Sequence, residues 1–144
     1  MDKQSEGLKL LQEIKIINAQ IDQLQEMIER VYTTLTNATV KPKEIDVQTS
    51  LPADPMADKV IEVIEYQKTL EEYQQQLINK RILAINIIRQ MATENQHLIM
   101  LKYFRGYTIE RISDEVGYTY RWTWEKIHTA EEEFISLYEK IVDV

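Results

Sequence analysis

At 144 residues, with 44% hydrophobic content but only 3 Gly and 3 Pro, the chain suits one compact domain plus an elongated element, and its composition is neither disordered nor fibrous. The absence of cysteine excludes disulfides, thiolate metal sites and thiol catalysis, in keeping with a reducing cytoplasm. A net charge of −7 argues against an unspecific nucleic-acid binder, and the lack of an apolar run after Met1 or of any membrane-length apolar stretch argues against a signal peptide or a membrane span.

The first element is a helix over about residues 8–35. Leu10, Ile14, Ile17, Ile21, Leu24, Ile28, Val31 and Leu35 follow one another in alternating four- and three-residue steps, which is a heptad seam. No Gly or Pro interrupts it after Gly7. All three prolines, Pro42, Pro52 and Pro55, fall in the stretch 37–55 among Thr, Asn, Asp and Ser, so a loop is expected there. A second helix follows over about 56–91, with Val60, Val63, Leu70, Leu77, Ala84, Ile88 and Met91 at similar spacing. Gln67, Gln74 and Arg81 interrupt that seam, while Tyr66 and Tyr73 make a neighbouring stripe. Two long amphipathic helices must bury their apolar stripes, either against each other as a hairpin or between chains. The regular first seam makes residues Leu10 to Leu35 the candidate for self-association.

From Glu94 onward the punctuation is that of three short helices. Gly106 can end the helix that holds Leu98, Leu101 and Phe104. Thr108 suits an N-cap, with Glu110 in the positive first turn. Ile109, Ile112 and Val116 share a face, Gly117 supplies a left-handed turn, and Thr119 caps the last helix. On that helix Thr123, Ile127, Ala130, Phe134, Leu137 and Ile141 fall within about 40° of one another, and Arg121, Glu125 and His128 lie opposite. From Ile99 to Ala130 five basic residues face four acidic ones, so the acidity of the chain lies mostly elsewhere.

The order Leu98, Leu101, Tyr103, Thr108, Ile112, Gly117, Thr119, Thr123, Ile127, Ala130 resembles the C-terminal helix-turn-helix of sigma factors, region 4, over about 45 residues. With its long helical N-terminal part, and pieces such as GYTYRWTWEKIHTA, the whole layout resembles phage-encoded transcriptional regulators of the RinA and ArpU type. Arg111 stands where such modules usually carry the Glu of a capping box, Thr123 replaces an aliphatic residue, and Tyr120 and Trp122 stand where basic residues are frequent.

The resemblance implies an all-α fold in which a long helical hairpin or coiled coil over 1–91 precedes a DNA-binding domain over 92–144. It implies double-stranded DNA as partner, with Tyr120, Arg121 and Glu125 at base edges and Lys102, Arg105, Arg111, Thr119 and Lys126 at the phosphate backbone. RNA polymerase and further copies of the chain are the other partners, and the cytoplasm of a bacterial host is the location. The implied role is a sequence-specific transcriptional regulator that activates late phage genes. Two alternatives are a DNA-packaging adaptor like the small subunit of a phage terminase, and a sigma-like module that binds RNA polymerase with no DNA affinity of its own.

No enzyme, cofactor or metal is expected. Nucleotide-binding and nucleophile motifs are absent, Glu71 and Glu72 do not share a helical face, and His97 and His128 lack ligand spacing. Trp122 and Trp124 flank the apolar stripe of the last helix and are expected to be half-buried. The run Glu131, Glu132, Glu133 reads as a solvated face.

Overall fold

A computed structural model describes residues 3–40 and 55–142. The elements are α1 (Lys3–Val40), α2 (Pro55–Ile88), α3 (Thr93–Ile99), a π-helical turn (Met100–Phe104), α4 (Ile109–Val116) and α5 (Tyr120–Val142). The fold is all-α. The first helix is longer at both ends than its apolar seam, and most of the expected loop at 37–55 lies outside the described residues. The second helix stops at Ile88 instead of Met91, because Gln90 and Met91 donate to Ile87 and Ile88 in tighter turns and Ala92 is extended, with ψ 141°.

The compact units do not divide at residue 91. One comprises residues 1–18 with 76–144, the other residues 19–75. The start of α1 therefore belongs with the end of α2 in the larger unit, and the end of α1 with the start of α2 in the smaller one.

In the smaller unit Ile21, Leu24, Ile28 and Val63 are buried, and Val31, Leu35, Tyr66 and Leu70 are half-buried. In the larger one Leu10, Leu11, Ile14 and Ile17 of α1 are buried. Six of the eight seam residues, Leu10 to Ile28, are thus exposed by at most 9% within a single chain. The seam assigned to oligomerisation is spent on the intrachain core. A stripe this regular is covered at the lowest entropic cost by the neighbouring helix of its own chain.

Of the apolar residues expected to face a partner on α2 and just beyond it, Val63, Leu77, Ala84, Ile88 and Met91 are buried and Leu70 is half-buried; Val60 departs from the pattern. Lys59, Val63, Tyr66, Leu70, Tyr73, Leu77, Lys80, Ala84 and Ile87 turn inward, whereas Val60 is 44% exposed. The helix is rotated toward the Tyr66 and Tyr73 stripe, because the Val60 stripe would have driven the amides of Gln67 and Gln74 into the apolar seam.

Polar ties reinforce the larger unit. Lys80 Nζ lies 3.0 Å from Glu13 Oε1. Asn18 accepts from Arg81 Nη2 at 3.0 Å and donates to the carbonyl of Phe104 at 3.1 Å, while the Arg81 guanidinium stands over the Phe104 ring. Gly7 allows α1 to approach the last turns of α5, since a Cβ there would sit 3.3 Å from Tyr138 Cβ. Together these contacts hold the start of α1 to α2, the π-turn and α5, which present the candidate site.

Candidate nucleic-acid interface

The C-terminal elements assemble around one buried stripe. Thr123, Ile127, Ala130 and Phe134 of α5 are each exposed by at most 1%, and α3 and α4 both pack on α5. Thr123 fits an aliphatic position because its hydroxyl donates to Thr119 O at 2.8 Å, so no polar atom is stranded. Leu137 is half-buried, and Ile141, expected in the same stripe, is 37% exposed near the end of the helix.

The turn between α4 and α5 is built as the residues dictate. Thr108 is extended and its hydroxyl accepts from Arg111 N at 3.2 Å, which caps α4. Gly117 takes φ 80°, its N–H and that of Tyr118 both return to Ser113 O, and Thr119 Oγ1 accepts from Trp122 N at 3.1 Å. Residues 117–119 thus join two helices with both ends satisfied.

The π-turn changes which residues face inward. Arg105 N reaches back five residues to Met100 O, and Tyr107 N reaches Leu101 O. The extra residue shifts the phase by about 100°, so Tyr103 is buried and Phe104 is only half-buried. Tyr103 OH then donates to Glu131 Oε2 at 2.5 Å. Burial, and after it the hydrogen bond to Glu131, pushes the Tyr103 phenol far above its ordinary value.

Glu131 is therefore not on a solvated face. It is 7% exposed and also receives Lys102 Nζ at 2.7 Å, with His128 Nδ1 3.4 Å from its other oxygen. Glu133 is likewise engaged: it accepts from Asn95 Nδ2 at 2.7 Å and from Ala92 N at 3.3 Å, which places a carboxylate at the start of α3. Glu132 is the exposed member of the run. Local helical periodicity carries no sign of a partner on another element, so these roles were invisible without the fold.

The expected base-contacting residues all lie outside the core stripe. Tyr120 is exposed, and the side chain of Arg121 is 87% exposed with its Nε 3.4 Å from Glu125 Oε2, one turn away. Trp124 is exposed and packs its ring against His128, with centroids 4.0 Å apart. Trp122 is half-buried, stacked on Tyr118 at 4.0 Å, and Lys126 Nζ stands 5.5 Å from its ring.

The expected phosphate contacts separate into two groups. Lys102 is neutralised by the buried Glu131 and is not available to a phosphate; the π-turn that brings Tyr103 to Glu131 brings Lys102 with it. Arg105 and Arg111 converge on one phenol, donating to Tyr107 OH at 3.3 and 3.2 Å, and the Arg111 guanidinium lies 3.8 Å over the Tyr107 ring. The bond to Tyr107 raises Arg105 above the ordinary arginine value, so this guanidinium stays charged beside the start of α4. Tyr107, which sequence reasoning passed over, organises this pair. Its signal was an aromatic residue with arginines two before and four after it. The Thr119 hydroxyl is occupied as a helix cap.

Among the described residues no group of acidic or histidine side chains is arranged to hold a metal ion, and no helix is long and apolar enough to cross a membrane. Comparison with protein families, curated proteins and solved structures returns no match for this chain.

Proposed function

We propose that the protein is a sequence-specific DNA-binding regulator of transcription, of the phage sigma-like kind, acting on late genes in the cytoplasm of a bacterial host. The observation that supports it best is the division of α5. Its first turns hold Tyr120, Arg121 and Glu125 toward solvent, while Thr123, Ile127 and Ala130 on the other side are buried against the preceding helices. A short capped turn before such a helix is the arrangement by which helix-turn-helix proteins offer a recognition helix to the major groove. Arg121 reaches guanine O6 and N7 with two parallel donors, Glu125 orients it or accepts from cytosine N4, and Arg105 and Arg111 hold phosphates beside the groove.

The test is selection of bound duplexes from a random-sequence library by the purified chain, followed by Arg121→Ala on the recovered site and its single-base variants. Direct readout costs about 1–3 kcal/mol and relaxes preference at one position. Unchanged affinity and unchanged preference overturn the reading. A second reading, a sigma-like module that binds RNA polymerase without DNA affinity of its own, draws support from the net charge of −7 and from the neutralisation of Lys102. It is favoured if no motif is recovered while the chain binds the purified polymerase.

A further inference from the structure

A cleft of about 330 Å³ opens between α3, the end of α4 and the start of α5, wholly within the larger unit. Its lining is mostly apolar: Leu98 of α3 is 2% exposed, and Val116 and Trp122 are half-buried. Tyr118 completes this surface, its ring stacked on that of Trp122 with centroids 4.0 Å apart. Onto the same cleft Glu94, in the first turn of α3, and Glu115, in the last turn of α4, bring two carboxylates. Among the described residues neither carboxylate accepts a hydrogen bond or forms an ion pair, and Glu115 exerts only a minor pull on Arg105. Lys126, 5.5 Å from the Trp122 ring, does not line the cleft.

Glu115 stands where the fold alone disfavours it. The last turn of α4 carries the negative end of the helix dipole, and no basic residue in that turn offsets the carboxylate. A charge that opposes its own helix points to a partner outside the chain. Two unpaired carboxylates repel phosphate, so a nucleic acid is not that partner. Nor are Glu94, His97 and Glu115 arranged to hold a metal ion. What matches the cleft is a cation on an apolar stem, whose methylenes cover Leu98, Val116 and the rings while its charged head meets the carboxylates. Arginine fits better than lysine, because its flat fork of donors can serve carboxylates on two different helices at once. We propose that this cleft is a docking site for an arginine side chain presented by a protein partner. Tyr120, Arg121 and Glu125 do not line it, so the proposal stands or falls separately from the reading of DNA.

The probe is a blocked Gly-Arg-Gly peptide, titrated into the full-length, nitrogen-15-labelled chain and followed by nuclear magnetic resonance. The indole of Trp122 and the amides of Glu115 and Tyr118 are expected to shift with a dissociation constant of roughly 1–10 mM, while the indole of Trp124 stays in place. The same peptide with citrulline for arginine, which keeps the shape and loses the charge, leaves them unmoved. Methylguanidinium, which keeps the charge and loses the stem, shifts them only at higher concentration. Glu94→Gln with Glu115→Gln weakens the arginine peptide by about tenfold. Glu115→Gln alone holds or raises the thermal midpoint, because it removes a charge from the negative end of α4. No shift at tens of millimolar overturns the proposal, as does equal potency of the citrulline peptide or of methylguanidinium. Binding untouched by the double variant also overturns it, and a clear fall in the midpoint of Glu115→Gln assigns that carboxylate to the fold instead.

Discussion

Tyr103 and Glu131 show how far a single residue can depart from its local pattern. Tyr103→Phe leaves a buried carboxylate with one donor fewer and is expected to cost about 1–3 kcal/mol at neutral pH in denaturant titrations. The pH dependence has a definite sign. The fold holds the phenol in its neutral form, with a pKa above the ordinary 10.0. Its contribution is complete below pH about 10 and is lost above that, where the unfolded chain ionises first. The wild type therefore loses stability on the alkaline side more steeply than Tyr103→Phe, and thermal midpoints between pH 8 and about 11 check it. Arg121 and Glu125 behave in the opposite way. Their pair is 3.4 Å apart and solvent-exposed, so Arg121→Ala changes folding stability by only a few tenths of a kcal/mol. A DNA-binding defect in that variant is then a lost contact and not a lost fold.

Among the elements, the junction between α4 and α5 is where small changes should be felt. Gly117 sits at φ 80° with open space around a would-be Cβ, so Gly117→Ala strains the backbone without a clash and costs about 1–2 kcal/mol. Gly117→Asn, which tolerates that conformation better, should recover part of the loss in the same melting experiment. α5 is also more than a recognition helix. Truncation after Ala130 removes the fully buried Phe134, the Glu131 that holds Tyr103 and Lys102, and the Glu133 that caps α3. The loss of Phe134 alone is worth about 3–5 kcal/mol. The shortened chain is expected to lose its cooperative unfolding transition, and retention of the wild-type midpoint would show that these ties carry little.

For the whole molecule, buried and exposed isoleucines predict opposite consequences for similar substitutions. Ile14→Asp and Ile21→Asp bury a carboxylate in the intrachain core and should collapse helicity and midpoint together, at several kcal/mol each. Charged residues at Ile78 and Ile82 should leave helicity intact. Circular dichroism of the two sets side by side distinguishes a core from a surface, and equal damage in both would contradict the rotation of α2 described above.

The helices and their punctuation were legible in the residue order alone. The 3.5-residue recurrence from Leu10 to Leu35, the caps Thr108 and Thr119 and the left-handed Gly117 are local matters, settled by side-chain period, backbone sterics and the nearest N–H groups. So was the inward stripe of α5 from Thr123 to Phe134, and with it the outward placement of Arg121 and Glu125. Tertiary structure decided what each stripe is buried against. Heptad spacing is blind to whether its partner belongs to the same chain, which is why the α1 seam could be read as an interface although its residues from Leu10 to Ile28 are buried within a single chain. It also decided the rotation of α2, since the Val60 and Tyr66 stripes differ only in how much polar surface each would desolvate. The π-turn at Met100–Phe104 was beyond any periodic reading, because one inserted residue moves Tyr103 and Lys102 onto Glu131. That single change in phase converted an expected phosphate ligand into half of a part-buried ion pair, and the energy that favours it lies in contacts some 30 residues apart in the chain.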